Sequence, residues 1–405
     1  MMRRLASLPS LNIPFFPTPQ TFVVEEITPT CEVLEVGKKI EKSSSDGKFA
    51  HFVLQKSGWS TIQAELAIAK ALHITHKRFS HAGIKDKNAT TTQLCSVFAI
   101  EPEKLLSLKI QDIQINGSWA CEEPVRMGEL LGNRFTALIP QTSGKEEAIK
   151  EIASETRLLF PNYFGSQRFG SLRSNTHKIG KLLLQEKFKE AIMSYLSDSS
   201  NEKDPQAVQA RKELAETHDF NLALKNFPSH LKYERLMLHH LTKYPNDFVG
   251  AVQRLPRALS IMFLHAYQSY LFNKALEVRV HTRDFVAREG EFYCGRGKLG
   301  FPDLSIKKDG SQNNSFLVCK LLGYETKESE LTEIEKKLLE EEGITLSLFK
   351  IKKFPALSVK GAYRSALAPM VDFSFVRESG LFRFSLQKGA YGTVALQEFI
   401  GSGNH

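Results

Sequence analysis

The chain has little with which to build a cross-linked or metal-bound protein. Its 405 residues include five cysteines, at positions 31, 95, 121, 294 and 319, far apart and without a CxxC pair. Disulfides and a structural zinc site are therefore not expected. The twelve histidines contain no HExxH, and His239 and His240 are neighbours that a helix would turn to different sides. No metal is expected. No apolar run approaches the ~20 residues that cross a bilayer. The opening stretch, Met1 to Ser7, is basic but lacks the apolar core of a secretory signal, so a cytoplasmic protein is expected. Gly295-Arg296-Gly297 lacks the spacing of a phosphate-binding loop and reads as a turn.

Acidic residues are scarce where basic ones gather. From Gly343 to Val371 there is none, against Lys350, Lys352, Lys353, Lys360 and Arg364. Between Tyr163 and Lys187, Glu186 stands against Arg168, Arg173, Lys178, Lys181 and Lys187. Negative charge collects instead in Glu328 to Glu342. With a net charge of +9, this segregation suits a surface that follows phosphates and leaves an unrelated acidic face. Hydrophobic content of 42% with 24% charged residues is that of an ordinary globular protein. The length favours two domains over one core.

Phe22 to Ile27, His51 to Gln55 and Leu94 to Ile100 read as strands. Ser60 with Gln63 forms a capping box ahead of a helix from Ile62 to Leu72, with Ile62, Leu66, Ala69 and Leu72 on one face. A second amphipathic helix runs from Glu146 to Leu159, with Ile149, Ile152, Thr156 and Leu159 inward. From Lys189 helices dominate. Pro256 opens the most apolar one, Arg257 to Val280, which reads as a core helix whose polar residues satisfy the interior. Glu328 to Glu342 is an acidic helix. Val371 to Val376 and Leu381 to Gln387 are closing strands.

Two loops could carry chemistry. Phe79 to Gln93 holds one carboxylate, Asp86, between Lys85 and Lys87. Gly83 allows a sharp turn beside it, and three threonines follow. By spacing alone this is either a solvated charge cluster or a carboxylate set on rigid supports. Asn162 to Gly170 interleaves aromatics with Gln167 and Arg168. That composition suits unpaired RNA bases and their phosphates, or simply a buried aromatic turn.

Ala82-Gly83-x-Lys85-Asp86-Lys87-x-Ala89-x-Thr91-x-Gln93 resembles a signature of the TruD family of tRNA pseudouridine synthases. Asn162-Tyr163-Phe164-Gly165-x-Gln167-Arg168-Phe169-Gly170 resembles its second signature. Gly132-Asn133-x-Phe135, the run Phe263 to Asn273 and the tail through Gly389-Ala390-Tyr391-Gly392-Thr393 are similar to further family elements, so the resemblance spans most of the chain. It implies an α+β fold: a pseudouridine synthase-like mixed, largely antiparallel sheet with helices, carrying an inserted α/β TRUD domain. The divisions would be 1–187 and 367–405 for the catalytic domain and 188–366 for the insertion. It implies an isomerase that converts uridine 13 in the D arm of tRNA to pseudouridine, with other structured RNAs as further possible substrates and a monomer as the acting form. No cofactor is implied, since the reaction needs neither a redox step nor a metal.

The resemblance places the catalytic carboxylate on Asp86 and the base-stacking ring on Phe164. Asn162 would order the catalytic loop beside the substrate, and Lys85, Gln167 and Arg168 would contribute polar contacts. The flanking lysines should hold Asp86 ionised, as a nucleophile or as a base. Where family members carry a basic residue before the first strand and an acidic one before its Phe, this chain has Phe16 and Thr21. His81 replaces an aromatic and Thr90 an aliphatic. Lys38, Lys39 or Lys56 would have to replace the missing cation. Two rival functions use the same residues: a non-catalytic RNA-binding or RNA-chaperone protein, and a hydrolase pairing Asp86 with a second acid.

Overall fold

The computed structural model describes residues 2–43, 46–170, 173–308 and 314–401. Its main sheet has eight strands. Seven lie in the order 371–376, 381–387, 132–138, 22–27, 90–98, 49–57 and 113–121, and the short strand 79–81 adds to 90–98. Strands 22–27 and 90–98 run parallel; the other pairs are antiparallel. A four-stranded antiparallel sheet (362–365, 316–321, 292–296, 302–308) and a two-stranded one (159–161 with 367–369) complete the β structure.

Apolar packing falls into two main clusters. One gathers the aromatic face of the sheet, with Phe22, Phe135, Phe382, Phe384 and Phe399. The other is helical and runs from Ile179 to Leu271, with Leu322 to Val359. The 26-residue helix Arg257–Thr282 belongs to both. Its first half gives Phe263, Leu264 and Tyr267 to the helical cluster, and its second half gives Phe272, Leu276 and Val280 to the sheet cluster. The helical cluster already includes residues 179–184, and segment 293–319 packs partly with the sheet.

The helix after Ser60 spans Thr61–Ala71 and has the expected capping box, but it is rotated from the expected face. Ile62 and Leu66 are exposed, while Thr61, Ala64, Glu65, Ile68 and Ala69 are buried. The reason is polar. Glu65 Oε1 and Oε2 hold His81 Nδ1 at 2.7 Å and His76 Nε2 at 2.8 Å, and Thr61 Oγ1 donates to Gln93 Oε1 at 2.9 Å. Buried partners for a carboxylate outweigh two apolar side chains left in water.

The threonines also move from loop to sheet. Strand 90–98 begins at Thr90, and Thr91, Thr92 and Gln93 are buried within it. One edge of this strand is shared. Residues 90–92 pair with strand 22–27, and residues 95–97 pair with strand 79–81. The gap leaves the Leu94 amide without a backbone partner, and the Glu26 carboxylate fills it at 3.0 Å. That buried carboxylate is in turn matched by Lys85 Nζ at 2.6 Å.

Candidate active site

The loop between strands 79–81 and 90–98 carries Asp86, and its backbone is pinned from several directions. Gly128 N donates to Ala82 O at 2.7 Å. Gln93 Nε2 donates to Gly83 O at 3.0 Å, and Lys85 N donates to Thr61 Oγ1 at 3.0 Å. Lys56 Nζ donates to Asp86 O at 2.9 Å and to Trp59 O at 2.7 Å. With its main chain held by these partners, the loop lines a cavity of about 560 Å³ with Ala82, Ile84, Lys85 and Asp86. Gly83 also lines this cavity. Its φ is not positive, and a Cβ built on it would meet nothing within 4 Å. The loop does not need glycine in order to turn; the missing side chain leaves room in the cavity.

Asp86 is the sole carboxylate among the described residues that line this space. Gln167 donates a side-chain hydrogen bond to it. Its pKa is raised above the ordinary value because burial outweighs the help of Gln167, Lys56 and Lys85. Of the two flanking lysines expected to favour the charged form, Lys85 does so and Lys87 does not contribute, while burial opposes them. The Lys85 ammonium pairs with Glu26, and Lys87 points to solvent. Lys56, fully buried, has its own pKa lowered to about 8 by burial. Of the three lysines considered as substitutes for the missing cation, Lys56 is the one brought to Asp86. Lys38 pairs with Glu35 at the surface, and Lys39 is exposed.

The second loop reaches the same cavity through Gln167 and Arg168. Both sit on a 3₁₀ turn, Ser166–Phe169. Arg168 Nε donates to Ser269 Oγ at 3.0 Å. Asn162 lies away from the cavity and fully buried. Its Nδ2 donates to Ser365 O and Oγ at 3.1 and 3.0 Å, and its Oδ1 accepts from Arg364 at 2.6 Å. Asn162 is thus placed to position other groups, whereas Lys85 lines the Asp86 cavity while its ammonium pairs with Glu26. Phe164 is 8% exposed and does not line the Asp86 cavity. Its ring packs edge-on against Phe272 and Tyr391, at 5.7 and 6.3 Å. The Arg364 guanidinium lies 4.1 Å from its centroid and that of Arg168 5.5 Å. The Asn273 side chain clamps its backbone, accepting from Phe164 N and donating to Phe164 O at 2.9 Å each.

Two residues that the sequence did not single out complete the site. Tyr391 lines the Asp86 cavity directly. A Cβ on Gly165 would stand 2.8 Å from its ring, so the glycine of the second loop is what lets Tyr391 lie there. Arg364 donates to Asn162 O and Gly389 O at 2.9 Å each and ties the second loop to the turn before Tyr391. Burial lowers its pKa to about 10. The acid-free stretch around 343–371 was the available signal for Arg364; Tyr391 carried only the resemblance of its flanking glycines.

The mixed, largely antiparallel sheet backed by helices is an α+β fold, and among the described residues one carboxylate lies in its cation-lined cavity; the solved structure it resembles makes the fold a pseudouridine synthase-like one. The chain belongs to the TruD family: the family profile described as tRNA pseudouridine synthase D (TruD) matches residues 17–399. A relative from Methanosarcina acetivorans, named probable tRNA pseudouridine synthase D, is 34% identical over 94% of this chain and 91% of its own. One of the same name from Methanopyrus kandleri is 36% identical over 88% and 86%. A solved TruD structure from Methanosarcina mazei superimposes with a TM-score of 0.74 at 29% identity, covering 99% of this chain and 96% of that one.

Proposed function

We propose that this protein isomerises uridine to pseudouridine in tRNA, at uridine 13 of the D arm, with Asp86 acting on a nucleotide swung out of its stack. The observation that carries the reading is the lone carboxylate: one acid, on a pinned loop, in a cavity whose other charged lining groups are cations. A hydrolase with paired acids has no second carboxylate there among the described residues. Glu26, the buried acid nearest the loop, is occupied by Leu94 N and Lys85.

The reaction breaks the bond from C1′ to N1, turns the uracil and joins C1′ to C5. The proton on C5 is lost and N1 gains one, so no atom is added or removed. An ionised Asp86 serves either as the nucleophile that holds the reacting centre or as the base that takes a proton, and burial makes it a stronger partner in both roles. While the glycosidic bond is open the uracil carries negative charge. Lys56 and Arg168 supply a positive field in a poorly hydrated space, where such a field acts most strongly. Tyr391, whose ring lines the cavity, is placed to face the extruded base and offset part of the few kcal/mol that unstacking costs. Phe164 supports the reading from behind, as the ring on which Tyr391, Arg168 and Arg364 are assembled.

The test is isomerisation of a tRNA transcript, followed by tritium release from C5-labelled uridine and by carbodiimide mapping, for the wild-type chain and Asp86→Asn. Wild-type turnover at uridine 13, abolished in the variant with tRNA affinity retained, is the expected result. Binding without isomerisation in the wild type would leave an RNA-binding protein on the same scaffold.

A further inference from the structure

Behind the Asp86 cavity lies a second, larger one of about 780 Å³, and Arg168 lines both. Phe164 and Arg364 form its near wall, with Tyr391 on the Asp86 side of that wall. Its floor is the buried helix 257–282, and its far side is the acid-free segment 355–364. The two basic, acid-poor stretches, far apart in sequence, meet here. No acidic residue lines this cavity among those described.

Several buried arginines have a carboxylate: Arg134 with Glu25, Arg173 and Arg211 with Glu234, Arg279 with Glu291. Arg4 and Arg235, part-buried, bond to backbone carbonyls instead and line neither cavity. Arg168 and Arg364 stand beside one ring and have no carboxylate among the described residues. Each repels the other, since Arg168 is among the influences that lower the Arg364 pKa. Arg257, exposed at the mouth, has no ion pair among the described residues either. Desolvated like charges side by side cost stability unless an anion joins them. His265, on the helix between them, has no hydrogen-bond partner for its ring among the described residues, and burial beside Arg168 lowers its pKa. A neutral imidazole offers one donor and one acceptor, which is what reading a base edge requires. Tyr324, at the far side, adds an aromatic ring.

We infer that this second cavity binds the nucleotide next to the target, its base held between His265 and Tyr324 and the connecting phosphate seated on Arg168 and Arg364. The inference deepens the function proposed above and rests on it for the identity of the RNA. On this view the RNA enters with two adjacent nucleotides unstacked, one on each side of the Phe164 wall. Single-stranded nucleic acid is held in this way elsewhere, by rings for bases and guanidinium for phosphate. The volume falls within the range of ordinary small-ligand sites.

The test measures the Kd of tRNA transcripts for the full chain, with pseudouridine formation followed separately. Transcripts carry an abasic residue at each position flanking uridine 13 in turn. Wild type is compared with the Arg257→Ala/His265→Ala double variant, and with Arg257→Glu, whose exposed position leaves the fold intact. One abasic position should weaken wild-type binding roughly tenfold, and the same lesion should cost the double variant almost nothing further. Arg257→Glu should weaken binding of the intact transcript. Equal losses in wild type and double variant at every flanking position would overturn the pocket, as would wild-type affinity in Arg257→Glu. If the coupling appears while no pseudouridine forms at uridine 13, the pocket stands and the assignment of reaction or position is what fails.

Discussion

Asp86 works against its own surroundings. Burial pushes its pKa up, and Gln167, Lys56 and Lys85 pull it down by less. In the proposed reaction turnover needs the ionised form, so activity should fall as pH drops through a pKa above the ordinary aspartate value of about 3.9. Removing a group that lowers the pKa should carry the acid limb of kcat/KM to still higher pH, and Gln167→Ala is the variant that does this. A limb that stays in place in Gln167→Ala would show that the amide does not hold the carboxylate. On the alkaline side Lys56 gives up its proton near about 8, which removes positive charge from the cavity, so the profile should be bell-shaped. Asp86→Asn should lower turnover by at least about a thousandfold while changing the Kd for tRNA less than about threefold, because the lost group is chemical and not a phosphate contact. Gly83→Ala separates fold from site. A Cβ there meets no protein atom, so thermal stability should hold, and any loss of turnover reports a clash with substrate.

Among the elements, the helix Thr61–Ala71 shows how far pattern reading reaches. Its start, its cap and its length followed from Ser60, Gln63 and the apolar spacing. Its orientation did not, because the deciding contacts come from His76, His81 and Gln93, and nothing in the helix itself reports them. Leu66→Lys should therefore change stability by within about 0.5 kcal/mol, whereas Ile68→Ala should cost about 2–5 kcal/mol. Chemical denaturation of the two variants decides between the faces. The same limit governs the site. Asp86, Gln167 and Arg168 were legible as two local motifs, and the structure brings them to one cavity. Arg364 and Tyr391 were not, since each enters through contacts with loops some two hundred residues away in the chain. Lys85 and Asn162 were legible as motif members, but their burial and their partners, Glu26 for one and Ser365 and Arg364 for the other, were not. The loop that carries Phe164 depends in turn on the helix 257–282. Asn273→Ala would strand both backbone groups of Phe164, costing about 1–3 kcal/mol, and should slow turnover by loosening the wall beside Arg168.

At the scale of the whole molecule, charge is arranged and not merely in excess. The acid-poor stretches converge on the second cavity and the mouth beside Asp86, while the helix Glu333–Glu342 holds its carboxylates elsewhere, pairing Glu342 with Lys181 at 2.6 Å. Binding of tRNA should therefore weaken steeply as salt rises, with each lost phosphate contact flattening the logarithmic slope by about one. Arg257→Ala should take away about one such contact, and a titration series between low and physiological salt measures it. In the described residues no helix is long and apolar enough to cross a membrane.

Strand 381–387 bonds along its length to strand 132–138, and the carboxylate of Glu398 receives the amides of Leu5 and Ala6. Residues near 5 and near 398 are therefore sewn to one another, and strand 381–387 to residues 132–138 far upstream. A ribosome making this protein would release everything up to the helical segment long before the last sheet partner emerges. The earlier strands must wait with an open border, the aggregation-prone condition of nascent chains with distant pairings. Completion of the sheet should thus be a late event, and a chain stalled a few residues short of strand 381–387 should be cut readily by protease where the finished protein resists.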